Sequence, residues 1–349
     1  MQFIKETNIN FTGIKKIAFC VSLTLIVISI LSLVVHKGPR YGVDFSGGSA
    51  VQVKFTDAVD IAAVKKGLKP AGLDGASVQR FGSESDHEFQ IRTKQAFMAD
   101  SAFAPKVKKA LGESTGVAVK DLSLDMVGPQ VSKDLRQKAL LAMFYALLFI
   151  IIYISGRFEL KWGISGAMAA ILGGAVYGVT QLQSIAFVSS GMPFLIVFAL
   201  VVSIIFCWYL ELKYAMGAII ALVHDITITV GIFSLLNIEF TLPIIAALLT
   251  IIGYSLNDTI IVFDRIRENG KKYTKKPLDF IINRSVNETL SRTILTSLTT
   301  LVVVIALYVL GGGVIHDFAF AMIIGVVTGT YSSIYVASPI LLAWKTDEN

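Results

Sequence analysis

Several ionisable side chains of this 349-residue chain fall inside long apolar runs, where lipid is the expected solvent. His224-Asp225 lies near the middle of the run 215–235, Asn257-Asp258 in the second half of 242–263, and Arg292 opens 292–310. An unpaired charge at the bilayer centre costs at least ~2.5–3.5 kcal/mol, so such groups face a bundle interior, pair up and mark ion paths. At ~1.5 Å rise per residue, Asp258 sits roughly 8–9 Å from the midpoint of its run and Arg292 roughly 13–14 Å from that of its own. The two runs are consecutive and antiparallel, which places both groups in the same half of the membrane. Thr250, Gly253 and Asn257 share one helix face, and Arg292, Thr296 and Thr299 share another. A proton-accepting Asp258 beside Arg292 can act as a transport switch, because protonation removes the counter-charge of the arginine. The plainer alternative is a static ion pair that fixes helix packing. His224-Asp225 fits a hydrogen bond across helices equally well. Asp264, Arg265 and Arg267 fall at the inner boundary, where long side chains snorkel to water. Gly325 and Gly329 form a small-xxx-small pair suited to helix packing.

The elements that must position these residues follow from composition. Apolar residues make up 54% of the chain and charged residues 16%, against about 25% charged in soluble domains. Half of the charged side chains are concentrated in residues 36–138. A transmembrane helix needs about 20 mostly apolar residues. Eight runs qualify: 17–35, 139–155, 163–182, 192–210, 215–235, 242–263, 292–310 and 318–343. The first is too long for a secretory signal and is read as an uncleaved anchor. The short loops on the side of the termini carry 14 Lys and Arg, and the opposite short loops carry none. Positive residues stay inside, so the termini are expected in the cytoplasm and residues 36–138 outside. The net charge of +6 belongs to those inner loops; no basic stripe interleaved with aromatics suggests nucleic acid. Cys20 and Cys207 lie in apolar runs and read as packing residues.

The outer segment alternates between strand and helix patterns. Val43–Phe55 reads as a strand with a bulge at Gly47-Gly48, Asp60–Leu68 as a helix, and Ser77–Phe81 with Glu88–Thr93 as a strand pair. Asp100–Leu111 reads as a second helix with Asp100 or Ser101 as N-cap, and Val117–Val127 as a last strand. The order βαββαβ is the ferredoxin-like split motif. The expected organisation is therefore a membrane α-helical bundle with an extracytoplasmic α+β ferredoxin-like domain. Residues 1–35 form the cytoplasmic N-terminus and first span, 36–138 the outer domain, and 139–349 the bundle with a cytoplasmic loop at 264–291.

Arg157-Phe-Glu-Leu-Lys-Trp162 and Tyr209-Leu-Glu-Leu-Lys-Tyr214 repeat at an offset of 52 residues. Each follows one apolar run and precedes another rich in Gly and Ala. Either a helical hairpin has been duplicated or two short inner loops resemble each other by chance. There is no Gly-x-x-x-x-Gly-Lys-Ser/Thr loop for a nucleotide motor, no metal-ligand spacing and no nucleophile–histidine motif. Neither an enzyme nor a cofactor is expected, and any energy source is an ion gradient or a partner.

Gly253-Tyr-Ser-Leu-Asn-Asp-Thr-Ile-Ile-Val-Phe-Asp-Arg-Ile-Arg-Glu-Asn269 resembles the signature of the SecF protein-export membrane subunits. So does Asn287-Glu-Thr-Leu-Ser-Arg-Thr293. Tyr41-Gly-Val-Asp44-Phe45-Ser-Gly47-Gly48 is similar to the family's Asp-Phe-Thr-Gly-Gly motif, and Val127-Gly-Pro-Gln-Val131 and His224-Asp225 match in kind and order. The resemblance implies a SecD partner and a pair related to resistance-nodulation-division transporters. It implies action late in export, on the outer side of the SecYEG channel and with YajC/YidC nearby, driven by the proton-motive force on an emerging preprotein. It also implies a proton path through Asp258 and Arg292, with Asn257 beside them and His224, Asp225, Thr296 and Thr299 as accessory groups. The family has six spans, so the two extra ones form an inserted hairpin at about 156–210. A small-molecule or lipid efflux subunit of the same superfamily is the competing expectation.

Overall fold

The computed structural model describes residues 7–74, 76–81, 87–93, 103–181 and 200–343. Helix α1 (Lys15–Val35) leads to a short helical turn, α2 (Val43–Ser46). An α/β unit follows: β1 (Gly48–Phe55), α3 (Ile61–Leu68), β2 (Ser77–Phe81), β3 (Glu88–Thr93), α4 (Phe103–Thr115) and β4 (Val119–Val127). The sheet order is β2-β3-β1-β4, with every pairing antiparallel. Val51, Val53 and Phe55 alternate along β1 and are buried with Phe89 and Ile91 of β3 against Val64 and Leu68 of α3 and Val107 and Leu111 of α4. That period of two is what a sheet covered on one face requires.

The remainder is helical: α5 (Pro129–Glu159), α6 (Trp162–Gln181), α7 (Leu200–Tyr209), α8 (Lys213–Leu235), α9 (Leu242–Lys272), α10 (Leu278–Leu310), α11 (Gly313–Ser332), a π-helical turn (Ser333–Ala337) and α12 (Ser338–Ala343). By length and composition, six helical stretches among the described residues can cross a membrane: α1, α5, α8, α9, α10 and Ile315–Ala343. The chain is a multi-pass membrane helical protein. The runs expected at 163–182 and 192–210 appear as α6 and the shorter α7, and residues 182–199 between them lie outside the described residues.

Two expectations are corrected. Val43–Phe55 is not one strand. Val43–Ser46 coils into α2, Gly47 and Gly48 turn the chain with φ of +73° and +116°, and β1 starts only at Gly48. The irregularity in β1 falls at Lys54/Phe55, not at the glycine pair. Glycine is needed at 47 because only it takes that φ without strain, and a Cβ there would lie 3.2 Å from Pro129 Cα. Secondly, 264–291 is not a loop. Helix α9 runs on to Lys272 and α10 begins at Leu278, so Arg292 lies inside a helix rather than opening one. Arg284 and Glu288 pair at 2.8 Å and Arg265 and Glu268 at 3.0 Å, while the Asn269 Nδ2 amide donates to Glu288 at 2.9 Å. Such i,i+3 and i,i+4 pairs carry a helix past the apolar region. Likewise α5 begins ten residues before the apolar run, with Pro129 pre-set for the first turn. The helix expected over Asp100–Leu111 is described as α4 from Phe103, and its expected cap at Asp100 or Ser101 lies outside the described residues.

Candidate functional site

Asp225 is fully buried in α8 and collects donors from three helices. His224 Nδ1 lies 2.9 Å from Asp225 Oδ1, while the hydroxyls of Ser255 on α9 and Ser332 on α11 donate to Oδ2 at 2.6 and 2.8 Å. The other ring nitrogen of His224 lies 3.2 Å from Ser22 Oγ on α1, which also contacts the Tyr331 hydroxyl at 3.2 Å. The Tyr331 hydroxyl donates to the Ala18 carbonyl at 2.7 Å, and its ring stacks on His224 at 6.0 Å. Four helices thus meet at one satisfied polar cluster, as intramembrane polar groups require. His224-Asp225 does form the expected cross-helix bonds, and Ser22, Ser255, Ser332 and Tyr331 are partners the sequence did not disclose.

Asp258 lies 1% exposed, less than one turn of α9 beyond Ser255. Its environment is the opposite of Asp225's. Ser297 on α10 donates a long 3.4 Å bond to Oδ2, and the same hydroxyl lies 2.6 Å from Thr330 Oγ1 on α11. Oδ1 is buried and has no partner among the described residues. The expected pairing with Arg292 is not formed. Among the described residues no carboxylate lies within 4.0 Å of the guanidinium, and Arg292 is on the exposed side of α10. The two helices turn different faces inward: Asp258 and Ser297 point into the bundle, whereas Asn257, Gly253 and Thr250 on α9 and Arg292 and Thr299 on α10 point out of it. Thr296 and Thr299 donate to the carbonyls of Arg292 and Thr296, at 3.0 and 2.9 Å. Gly325 and Gly329 pack α11 on α9 as expected, with Ile251 and Ser255 occupying the space of a side chain.

At the inner boundary, Asp264 pairs with Arg157 at 3.0 Å and Arg267 donates to the Arg157 carbonyl at 3.0 Å, while Arg265 also reaches Glu288 at 3.7 Å. Around them Phe158, Tyr214 and Phe263 form an aromatic cluster. At the other end of the bundle, Asp44 Oδ2 accepts from the Leu242 N–H at 2.9 Å and so caps α9 from a distant part of the chain. Phe45 is buried with Ile244, Leu248 and Phe240. The Gly42 N–H donates to the Phe240 carbonyl at 2.8 Å, and the Phe240 N–H to the Arg40 carbonyl at 2.7 Å. The glycine-pair motif is therefore a joint between the α/β unit and the α8–α9 connection.

A polytopic helical bundle with buried carboxylates and one α/β unit between its first two long helices defines a class of membrane transport proteins, and sequence comparison narrows it. The family described as protein export membrane protein SecD/SecF, C-terminal, matches residues 106–188 and 174–347, and the SecD/SecF GG motif matches 32–59. Protein translocase subunit SecF of Magnetococcus marinus is 42% identical over 97% of this chain and 93% of its own length. That of Vibrio alginolyticus is 38% identical over 97% and 90%. The crystal structure of SecDF, a translocon-associated membrane protein from Thermus thermophilus, superposes with a TM-score of 0.69 at 30% identity. It covers 97% of this chain, which spans 39% of that longer one. The chain belongs to the SecF family.

Proposed function

We propose that this chain works with a SecD-type partner as an accessory subunit of Sec-dependent protein translocation, using the proton-motive force late in export rather than catalysing a reaction. The observation that carries this reading is Asp258, a buried carboxylate with one oxygen unpartnered, on a helix whose far end is capped from the turn that leads into the α/β unit. A protonated carboxyl gains a donor, so an oxygen left open in the bundle is a place to load and unload a proton. Arg292 is the movable counter-charge, on the outward face of α10 with Thr299. That face points out of the bundle, where lipid would leave it unsatisfied, so SecD is the surface that covers it. The satisfied cluster at Asp225 holds α1, α8, α9 and α11 in register around the path. The family match favours this reading over an efflux subunit.

The proposed arrangement places both termini in the cytoplasm of a cell inner membrane and residues 36–138 outside, as a ferredoxin-like domain that grips preprotein leaving SecYEG, with YajC/YidC as further neighbours. The domain's strand order and two covering helices support that assignment. Eight spans follow if α6 and α7 form a transmembrane hairpin. A reporter joined after residue 189 is then exported and one joined after Glu211 is cytoplasmic; two cytoplasmic reporters would show that the hairpin does not cross.

The central test is Asp258→Asn, which keeps size and hydrogen bonding and removes the titratable group. Release of a translocating preprotein from spheroplasts should lose its dependence on the gradient, while the protein remains in the membrane. Release that stays uncoupler-sensitive in the combined Asp258→Asn, Arg292→Leu variant would refute the proton-path role.

A further inference from the structure

Glu239, in the connection between α8 and α9, is a buried carboxylate at the boundary between the bundle and the α/β unit, 5% exposed. Two arginines hold it. Arg40 Nη2 lies at 3.3 Å, and Arg92 reaches it from β3 of the α/β unit. Arg92 is itself largely buried and donates to Gln90 Oε1 at 2.7 Å. Asp44 and Asp317, the latter at the start of α11, add their charges around it. Burial, with a smaller push from Arg40, pulls the Arg92 guanidinium down to about 10, which still leaves it charged at neutral pH. Helix α9 begins three residues after Glu239, at the N–H that Asp44 caps. Asp258 lies on this same unbroken helix, sixteen residues on, which is about 24 Å at the usual rise.

We infer that Glu239 is a positioning residue that makes the α/β unit follow the outer end of α9. A rigid helix passes a displacement on through the packed, hydrogen-bonded and charge-paired groups that hold it. The cap and the two backbone bonds at Phe240 fix the start of α9 to the segment 40–44, but that segment belongs to the joint and not to the sheet. The Arg92–Glu239 pair reaches the sheet itself. A charged pair this far from water resists exchange with solvent, because breaking it strands a buried charge. The inference rests on the proton-path reading of Asp258, and neither Arg92 nor Glu239 belongs to that path.

The test uses the full chain in membrane vesicles with its SecD-type partner and the translocon. Gradient-driven proton flux and preprotein release are measured separately, alongside membrane content. In Glu239→Gln and in Arg92→Gln, flux should persist while release falls roughly tenfold, the factor that ~1.4 kcal/mol makes. Arg92→Lys, which keeps the charge, should retain most of the release. Release that is unchanged in either glutamine variant overturns the inference, and so does release that falls in step with flux or with membrane content. Asp258→Asn is the control that separates the two readings. Loss of flux there, with normal release in Glu239→Gln, overturns only this inference. Persistence of flux there overturns the proton-path reading and this inference with it.

Discussion

Asp225 and Asp258 are buried to nearly the same degree, and the proposed function gives them opposite tasks. Asp225 accepts from His224, Ser255 and Ser332. Asp225→Ala leaves those donors without an acceptor, at about 1–3 kcal/mol each. The expected result is a loss of more than ~3 kcal/mol, seen as poor accumulation in the membrane and early unfolding in detergent. Asp258→Asn keeps an oxygen for Ser297 and should cost less than ~1 kcal/mol in the same measurements. If Asp258→Asn proved the more destabilising change, the division between a structural and a working carboxylate would be wrong. The sequence made both aspartates conspicuous because charge inside an apolar run is rare. It did not say which way they point. Asn257 and Asp258 are adjacent, so one faces the exposed stripe and the other the interior, and a hydropathy reading cannot choose between them. Ser332 was equally hidden, since a serine 107 residues away along the chain carries no mark of its partner.

Among the elements, α9 and α11 pack on each other at Gly325 and Gly329. A Cβ at Gly329 would stand 2.9 Å from Ser255 Cβ. Gly329→Ala should therefore destabilise by about 1–3 kcal/mol, the usual cost of overpacking. It should also push Ser255 away from Asp225, so thermal stability of the purified protein should fall further with Gly329→Val. An unchanged melting temperature would mean that the two helices can separate freely. The glycine pair was legible as a packing face because small-xxx-small spacing has that direct meaning in membranes. Helix ends were not legible. Hydropathy finds the slab of lipid, whereas α5, α9 and α10 continue beyond it on polar residues. Pro129 and the Arg284–Glu288 spacing were the available signals, and both are local chemistry that an apolar window averages away.

For the whole molecule, the α/β unit has its own apolar core, in Val51, Val53, Phe89, Ile91, Val107 and Leu111, whereas Phe45 is buried by the bundle. A fragment of residues 47–128 should fold alone into a soluble protein with a mixed α and β circular dichroism spectrum. The longer fragment 36–138 should fold too but self-associate, because Tyr41 and Phe45 lose their apolar surroundings. Sedimentation of the two fragments distinguishes them, and a random-coil spectrum from the shorter one would rule out an autonomous core. The order of strands and helices along the chain was readable from alternation and turns. The joint was not, since a helical turn of four residues between a membrane helix and a strand has no periodicity to detect.

The points where α6 and α7 leave and rejoin the chain lie side by side. Glu159 Oε1 accepts the Tyr214 N–H at 3.1 Å, and Lys161 Nζ donates to the Leu210 carbonyl at 2.7 Å. The intervening stretch is thus a cassette with abutting edges. Splicing out residues 160–211 would join Glu159 to Leu212 and regenerate a single Arg-Phe-Glu-Leu-Lys-Tyr crossing. Tyr214 would keep its acceptor, and everything downstream would face the same compartment as before. A complementation assay of the shortened gene product would then show whether the machine can run without the cassette.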